Sequence, residues 1–123
     1  MIAALLLAAA AVDLPLQQIP EQKLVPGHCV AFLWTKAAPP RRVAMLDETV
    51  ALLRIRIDGR QRDLPQVAPG RYAADGLAIA LDLDLGPRAG MSGGEVIEQG
   101  ALSFERPGAD GIVVPVGGIR ACQ

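Results

Sequence analysis

Between Leu77 and Leu85 the chain alternates strictly. Leu77, Ile79, Leu81, Leu83 and Leu85 share one parity, and Ala78, Ala80, Asp82 and Asp84 take the other. Successive side chains of a strand point to opposite faces, whereas a helix would scatter those five apolar residues around its circumference. The pattern therefore predicts a strand buried on one side. The same period closes the segment 49–57, where Leu53, Ile55 and Ile57 oppose Arg54 and Arg56. Asp58-Gly59 follows, a dipeptide suited to the positive φ of a two-residue hairpin turn. The return strand, Arg60 to Leu64, is expected to stop at Pro65. Cys29-Val30-Ala31-Phe32-Leu33-Trp34 is apolar on both faces and is expected to be central or covered.

Weaker signals fill in the rest. A short strand around Arg42–Leu46 lies between breaks at Ala37-Ala38-Pro39-Pro40 and Asp47-Glu48. Pro69-Gly70 and Asp75-Gly76 frame a short extended piece containing Tyr72. A glycine-rich loop, Gly86–Gly94, leads into a strand at Glu95–Phe104 with a bulge expected at Gln99-Gly100. Pro107–Gly111 turns back into Ile112–Val116, where Pro115 predicts an edge or a kink because proline cannot donate to a ladder. Gly117-Gly118 then precedes Ile119-Arg120-Ala121-Cys122. Residues 13–27, with Pro15, Pro20, Pro26 and Gly27 and little periodicity, read as an extended lead-in. No segment after residue 12 shows apolar residues at helical spacing. Seven to eight short strands predict an all-β domain over residues 28–123, either a single small antiparallel β-sandwich or a closed β-barrel. The pattern does not choose between them.

The first twelve residues, Met1 to Val12, carry no charged or polar side chain. That run falls short of the about 20 apolar residues a spanning helix needs, but matches the apolar core of a secretory signal peptide. Ala9-Ala10-Ala11 offers a small-x-small cleavage pattern, placing the mature start near Val12 or Asp13. The α-amino group is the only positive charge ahead of the run, and a buried N-terminal helix is the alternative. The expectation is a periplasmic or secreted protein with no stable membrane span after processing. No cysteine directly follows the apolar run, so no lipid anchor is expected there.

Export changes how the two cysteines, Cys29 and Cys122, are read. In an oxidising compartment they are expected to form one disulfide, clamping the first strand to the last. A redox dyad of Cys29 with His28 is not expected, because neighbours on a strand point to opposite faces. His28 also lacks a metal-ligating cluster around it, so neither a metal site nor any cofactor is expected.

Charge removes further classes. The formal net charge is −1, which provides no global attraction for nucleic acid or anionic lipid. Aromatic residues number only four, Phe32, Trp34, Tyr72 and Phe104, too few for a base-stacking platform. Gly90-Met91-Ser92-Gly93-Gly94 fits the Gly-x-Ser-x-Gly pattern of a nucleophile elbow, but no helix pattern follows it and His28 precedes it, so no catalytic residue is assigned. Asp82 and Asp84, roughly 7 Å apart along one strand face, read as a solvated face. Gly117-Gly118 lacks the Lys-Ser or Lys-Thr of a phosphate loop, and Trp34 is expected in the core.

The possible binding surface is Arg54, Arg56, Arg60 and Arg62 around the Asp58-Gly59 turn or, as the alternative, the glycine-rich loop 86–94. Its character depends on register. A two-residue loop pairs Arg54 with Asp63 and places Arg60 and Arg62 on the face of Ile57 and Ile55. A three-residue bulged loop would gather all four arginines on one face, which needs an acidic partner to be tolerated.

The segment Val50–Gly76, with Ile57-Asp58-Gly59, Leu64, Gly70-Arg71-Tyr72 and Asp75-Gly76, and the terminal Cys29 and Ala121-Cys122-Gln123 resemble the periplasmic inhibitors of C-type lysozyme. The resemblance implies a small exported β-barrel. It does not carry over inhibition. That family's Ser-x-Ser-Gly loop is replaced by Val67-Ala68-Pro69-Gly70, and its Trp-x-Lys-Gly by Leu77-Ala78-Ile79-Ala80. The functional expectation is a non-enzymatic exported domain that binds a protein or a cell-envelope component, with a lysozyme-inhibitor-like protein as the alternative and a small hydrolase acting through Ser92 as the third.

Overall fold

The computed structural model describes residues 14–87 and 94–122; the proposed leader and Ser92 lie outside them. Eight strands follow chain order: β1 (Cys29–Thr35), β2 (Arg42–Asp47), β3 (Leu52–Ile57), β4 (Arg60–Ala68), β5 (Arg71–Ala74), β6 (Leu77–Pro87), β7 (Gly94–Glu105) and β8 (Ile112–Cys122). Each pairs antiparallel with the next, and β8 returns to β1, so the sheet closes into a barrel. The protein is therefore all-β and a barrel, not a sandwich. Closure leaves no long unpaired edge.

Alternation fills the interior. Leu33, Leu53, Ile55, Leu64, Ile79, Ile97, Leu102 and Val116 point inward and are buried almost completely. Arg54, Arg56, Asp63, Asp82 and Asp84 take the opposite parity. An apolar interior under a charged exterior is the inverse of a membrane-spanning barrel. Two tight turns fix the register. Asp58 and Gly59 have φ of 53° and 75°, and Asp75 and Gly76 have φ of 51° and 83°. Positive φ at both central residues is the type I′ turn, whose twist matches that of the flanking strands.

The Pro65 expectation shifts and the Pro115 expectation holds. β4 does not stop at Pro65 but runs on to Ala68, because the β4–β5 ladder begins only at Gln66 and asks nothing of the proline nitrogen. β8 likewise passes through Pro115, one residue beyond the last β1–β8 pair, Thr35 with Val116. Ile112–Pro115 pair with β7 alone, so Pro115 lies at a local edge, as its sequence predicts. The β7 bulge falls between Ile97 and Gly100, at Glu98 and Gln99, one residue earlier than its expected place.

The lead-in belongs to the fold. β2 and β3 pair over only three residues and separate towards Arg42 and Ile57. The chain crosses that gap: the Gln17 amide donates to the Arg56 carbonyl at 2.8 Å and the Ile19 amide to the Arg42 carbonyl at 2.9 Å. Leu14 and Leu16 enter the barrel core, and Leu16 is fully buried. Ile19 instead packs with Val30 and Met45 on the outside of β1 and β2, against Leu24 and Phe32. This covering explains why β1 is apolar on both faces. Leu16→Ala is expected to cost about 2–5 kcal/mol, the range for truncating a buried leucine, measured by urea unfolding. A change below about 0.5 kcal/mol would reduce the segment to a tether.

Trp34 is not in the core. The parity of β1 sends Ala31, Leu33 and Thr35 inward, leaving Phe32 and Trp34 half-buried on the outer face with ring centroids 6.4 Å apart. The Arg42 guanidinium lies 5.6 Å from the Phe32 ring centroid.

Candidate functional site at the open end of the barrel

The Asp58-Gly59 hairpin takes the two-residue register, with Arg54 opposite Asp63, Ile55 opposite Arg62 and Ile57 opposite Arg60. The four arginines are consequently not gathered. Arg54 and Arg56 belong to the outer parity; Arg60 and Arg62 share that of Ile57 and Ile55 at the barrel's rim. Arg54 is also neutralised, with Nε and Nη2 donating to the two Asp63 carboxylate oxygens at 2.9 and 3.1 Å. That pairing raises the Arg54 guanidinium above its ordinary value against the opposing effect of burial. Arg62 donates to Asp75 at 3.0 Å, and Asp58 in the turn lies 3.7 Å from Arg106. Alternating charges on one rim make this end mixed in sign, not a basic patch. It is also covered: Gln17 accepts the Gly59 amide at 2.7 Å, and Arg41 donates to the Leu16 carbonyl.

The opposite end differs. There the β2–β3 turn, the β4–β5 turn and the termini of β1 and β8 surround a cavity of about 250 Å³ lined by Ala31, Leu46, Glu48, Ala51, Gln66, Tyr72 and Leu83. Ala31, Leu46, Ala51 and Leu83 make most of its lining apolar, and Glu48 and Gln66 add polar groups. Tyr72 projects inward from β5 opposite Ile79 and is 6% exposed. Its hydroxyl has no hydrogen-bond partner among the described residues. Burial first, and then the Glu48 carboxylate, hold the Tyr72 phenol above its ordinary value.

Charge at this rim is organised by Arg120. It stands opposite Ala31 on β1 and Glu95 on β7, so it takes the inward parity. Its Nε donates to Glu48 at 2.5 Å and its Nη1 to Glu95. The hydrogen bond to Glu48 raises the guanidinium above its ordinary value, again opposed by burial. Two carboxylates share one cation, so the cluster holds one surplus negative charge.

Beside it, Cys29 and Cys122 are register partners across the β1–β8 seam with their sulfurs at bonding distance, 2.12 Å. A polar belt secures the same corner. His28 Nδ1 lies 2.7 Å from Asp47 Oδ2, Asp47 Oδ1 accepts the Thr49 amide, and Thr49 Oγ1 accepts the Cys29 amide at 2.9 Å. The partner of His28 is thus a buried carboxylate 19 residues on, which holds the β2–β3 turn in place. Among the described residues no group of three or more histidine, cysteine or carboxylate side chains could hold a metal, and no helix is long and apolar enough to cross a membrane.

Asp82 and Asp84 are exposed on β6, as a solvated face requires. The loop 86–94, the other expected surface, joins β6 to β7 at the open end, and its residues 88–93 lie outside those described. Sequence reasoning did not single out Tyr72, Glu48, Gln66 or Arg120 as a group. Arg120 and Glu48 are 72 residues apart, so no local spacing joins them. The one local signal was an aromatic beside a tight turn in a chain with only four. No protein-family model, curated protein or solved structure matches the chain.

Proposed function

We propose that this protein is an exported, non-enzymatic binding domain that engages a protein or a cell-envelope component through the open end of its barrel. One observation carries this reading. The two barrel ends are unequal among the described residues: residues 14–17 cover the hairpin end, while the other keeps a mostly apolar cavity with Glu48 and Gln66 in its lining. A small β-barrel normally fills its interior with side chains, and ligand sites are concave, largely apolar and marked by a few placed polar groups. Export is supported by the apolar run at residues 1–12 and by the cysteine pair at bonding distance, which suits an oxidising compartment.

The test uses the oxidised chain immobilised as bait against envelope extract, with two variants. Gln66→Trp fills the mouth from an exposed position, and Arg56→Glu alters the outer face of the hairpin. Specific capture is expected to survive Arg56→Glu and to be lost in Gln66→Trp. The reverse result moves the contact to the hairpin, and no specific capture by any form removes the binding reading.

The second reading, a lysozyme-inhibitor-like protein, rests on the sequence resemblance of Val50–Gly76 and the terminal cysteines alone. Because Val67–Gly70 lacks that family's inhibitory side chains, no inhibition of a C-type lysozyme is expected at micromolar concentration. Stoichiometric inhibition in a cell-wall lysis assay would overturn that.

A further inference from the structure

We propose that the open-end cavity receives a primary alkylammonium group, supplied either by a lysine side chain of a partner or by a free aliphatic amine. This rests on the binding-domain reading above and gives its site a chemistry.

The first ground is the set of acceptors the cavity leaves open. Gln66 Nε2 donates one hydrogen to the Ala68 carbonyl at 3.2 Å, which leaves its Oε1 on offer as an acceptor beside the second Nε2 hydrogen. Arg120 engages Glu48 through Oε2, which leaves Glu48 Oε1 without a partner among the described residues. Tyr72 is nine-tenths buried, lines the cavity and sits within electrostatic reach of Glu48, and its hydroxyl makes no hydrogen bond to a described residue. The hydroxyl oxygen is not sealed from solvent but opens onto the cavity, so a group that enters can reach it. Three acceptors around one hollow match the three N–H donors of an ammonium.

Charge and shape point the same way. The Glu48–Arg120–Glu95 cluster carries one surplus negative charge, which a single monocation neutralises and an anion would aggravate. A charge-assisted hydrogen bond is roughly twice as strong as a neutral one. Ala31, Leu46, Ala51 and Leu83 line the remaining wall, an apolar sleeve for a methylene chain. A guanidinium fits less well, because its planar fork is best matched by both oxygens of one carboxylate and Glu48 already gives one to Arg120.

The test titrates the full-length oxidised chain, labelled with nitrogen-15, with n-butylammonium chloride and follows amide shifts by NMR. Saturable shifts are expected at Tyr72, Gln66 and Glu48, with no matching response to n-butanol. Tetramethylammonium, which has charge but no donors, is expected to bind at least about fivefold more weakly. Tyr72→Phe, which removes one oxygen and keeps the ring, should weaken butylammonium at least about threefold, and Glu48→Gln about tenfold. An unsaturable titration, an equal response to n-butanol, or unchanged affinity in Tyr72→Phe overturns the proposal. Nα-acetyl-lysine amide and cadaverine then separate the two sources. Tighter binding of the lysine amide assigns the site to a partner's side chain, and tighter binding of the diamine to a free amine. If butylammonium fails to bind while capture remains sensitive to Gln66→Trp, the cation chemistry falls and the binding domain stands. If capture fails as well, both fall.

Discussion

Replacing both cysteines, Cys29→Ser with Cys122→Ser, is expected to lower the unfolding free energy by about 4–5 kcal/mol. The bridge spans a sequence separation of 93 residues, nearly the whole barrel. In the chain-entropy account a cross-link stabilises by restricting the unfolded ensemble, and its effect grows with the logarithm of the loop it closes. The cysteines are register partners at the end of the β1–β8 ladder, so the bond joins strands that already pair. Small domains are stable by only about 5–15 kcal/mol in total, so the loss would take much of what this one has. The measurement is urea unfolding of the oxidised protein and the double serine variant. An unchanged midpoint would show that the seven β1–β8 pairs close the barrel without covalent help. The consequence for function is local, since the bond ties down the strand ends beside the open cavity.

The second large effect is expected at Gly118. A Cβ built there would lie 1.9 Å from the Phe32 carbonyl oxygen, far inside any real contact, and only 3.2 Å from Leu33 Cδ2. The nearest obstacle is backbone, which cannot turn aside as a side-chain tip does. Gly118 is paired with Leu33 at the seam where the sheet closes on itself, so relief requires β1 and β8 to move apart. Gly118→Ala is expected to cost about 3 kcal/mol or more, the upper range for overpacking. Gly111→Ala is the internal comparison: its nearest neighbour would be the Glu105 side chain at 3.5 Å, ordinary contact. That change should stay within about 0.5 kcal/mol. Equal thermal midpoints for the two variants would show that β8 can shift along β1 without loss, and the close approach would then not hold the barrel shut.

Gly117-Gly118 shows how a correct local reading can miss the point. As a motif it lacks the lysine and hydroxyl of a phosphate loop, and that dismissal stands on the residues alone. Its role lies in the approach of a strand some 85 positions earlier in the chain, a distance set by closure and invisible to any window of neighbours. Prolines 65 and 115 behave alike. A proline inside a strand predicts an edge because it cannot donate; which side of the strand lacks a ladder at that residue depends on where the neighbouring strand ends.

The sequence by itself determined the strands, most of their turns, the inward and outward residues of β3 and β6, and the pairing of Cys29 with Cys122. These follow from period-two alternation, from Asp-Gly turns whose geometry selects few residues, and from a count of only two thiols. It also narrowed the hairpin to two registers and stated what each would do with its arginines. Tertiary structure chose the register, and with it dispersed the arginine patch. It turned Trp34 outward, drew Leu14 and Leu16 into the core, and assembled Glu48, Tyr72, Gln66 and Arg120 around one opening. Each of these decisions depends on contacts between residues far apart in sequence, where the energy comes from burial and pairing across the barrel and no local pattern is required to record it.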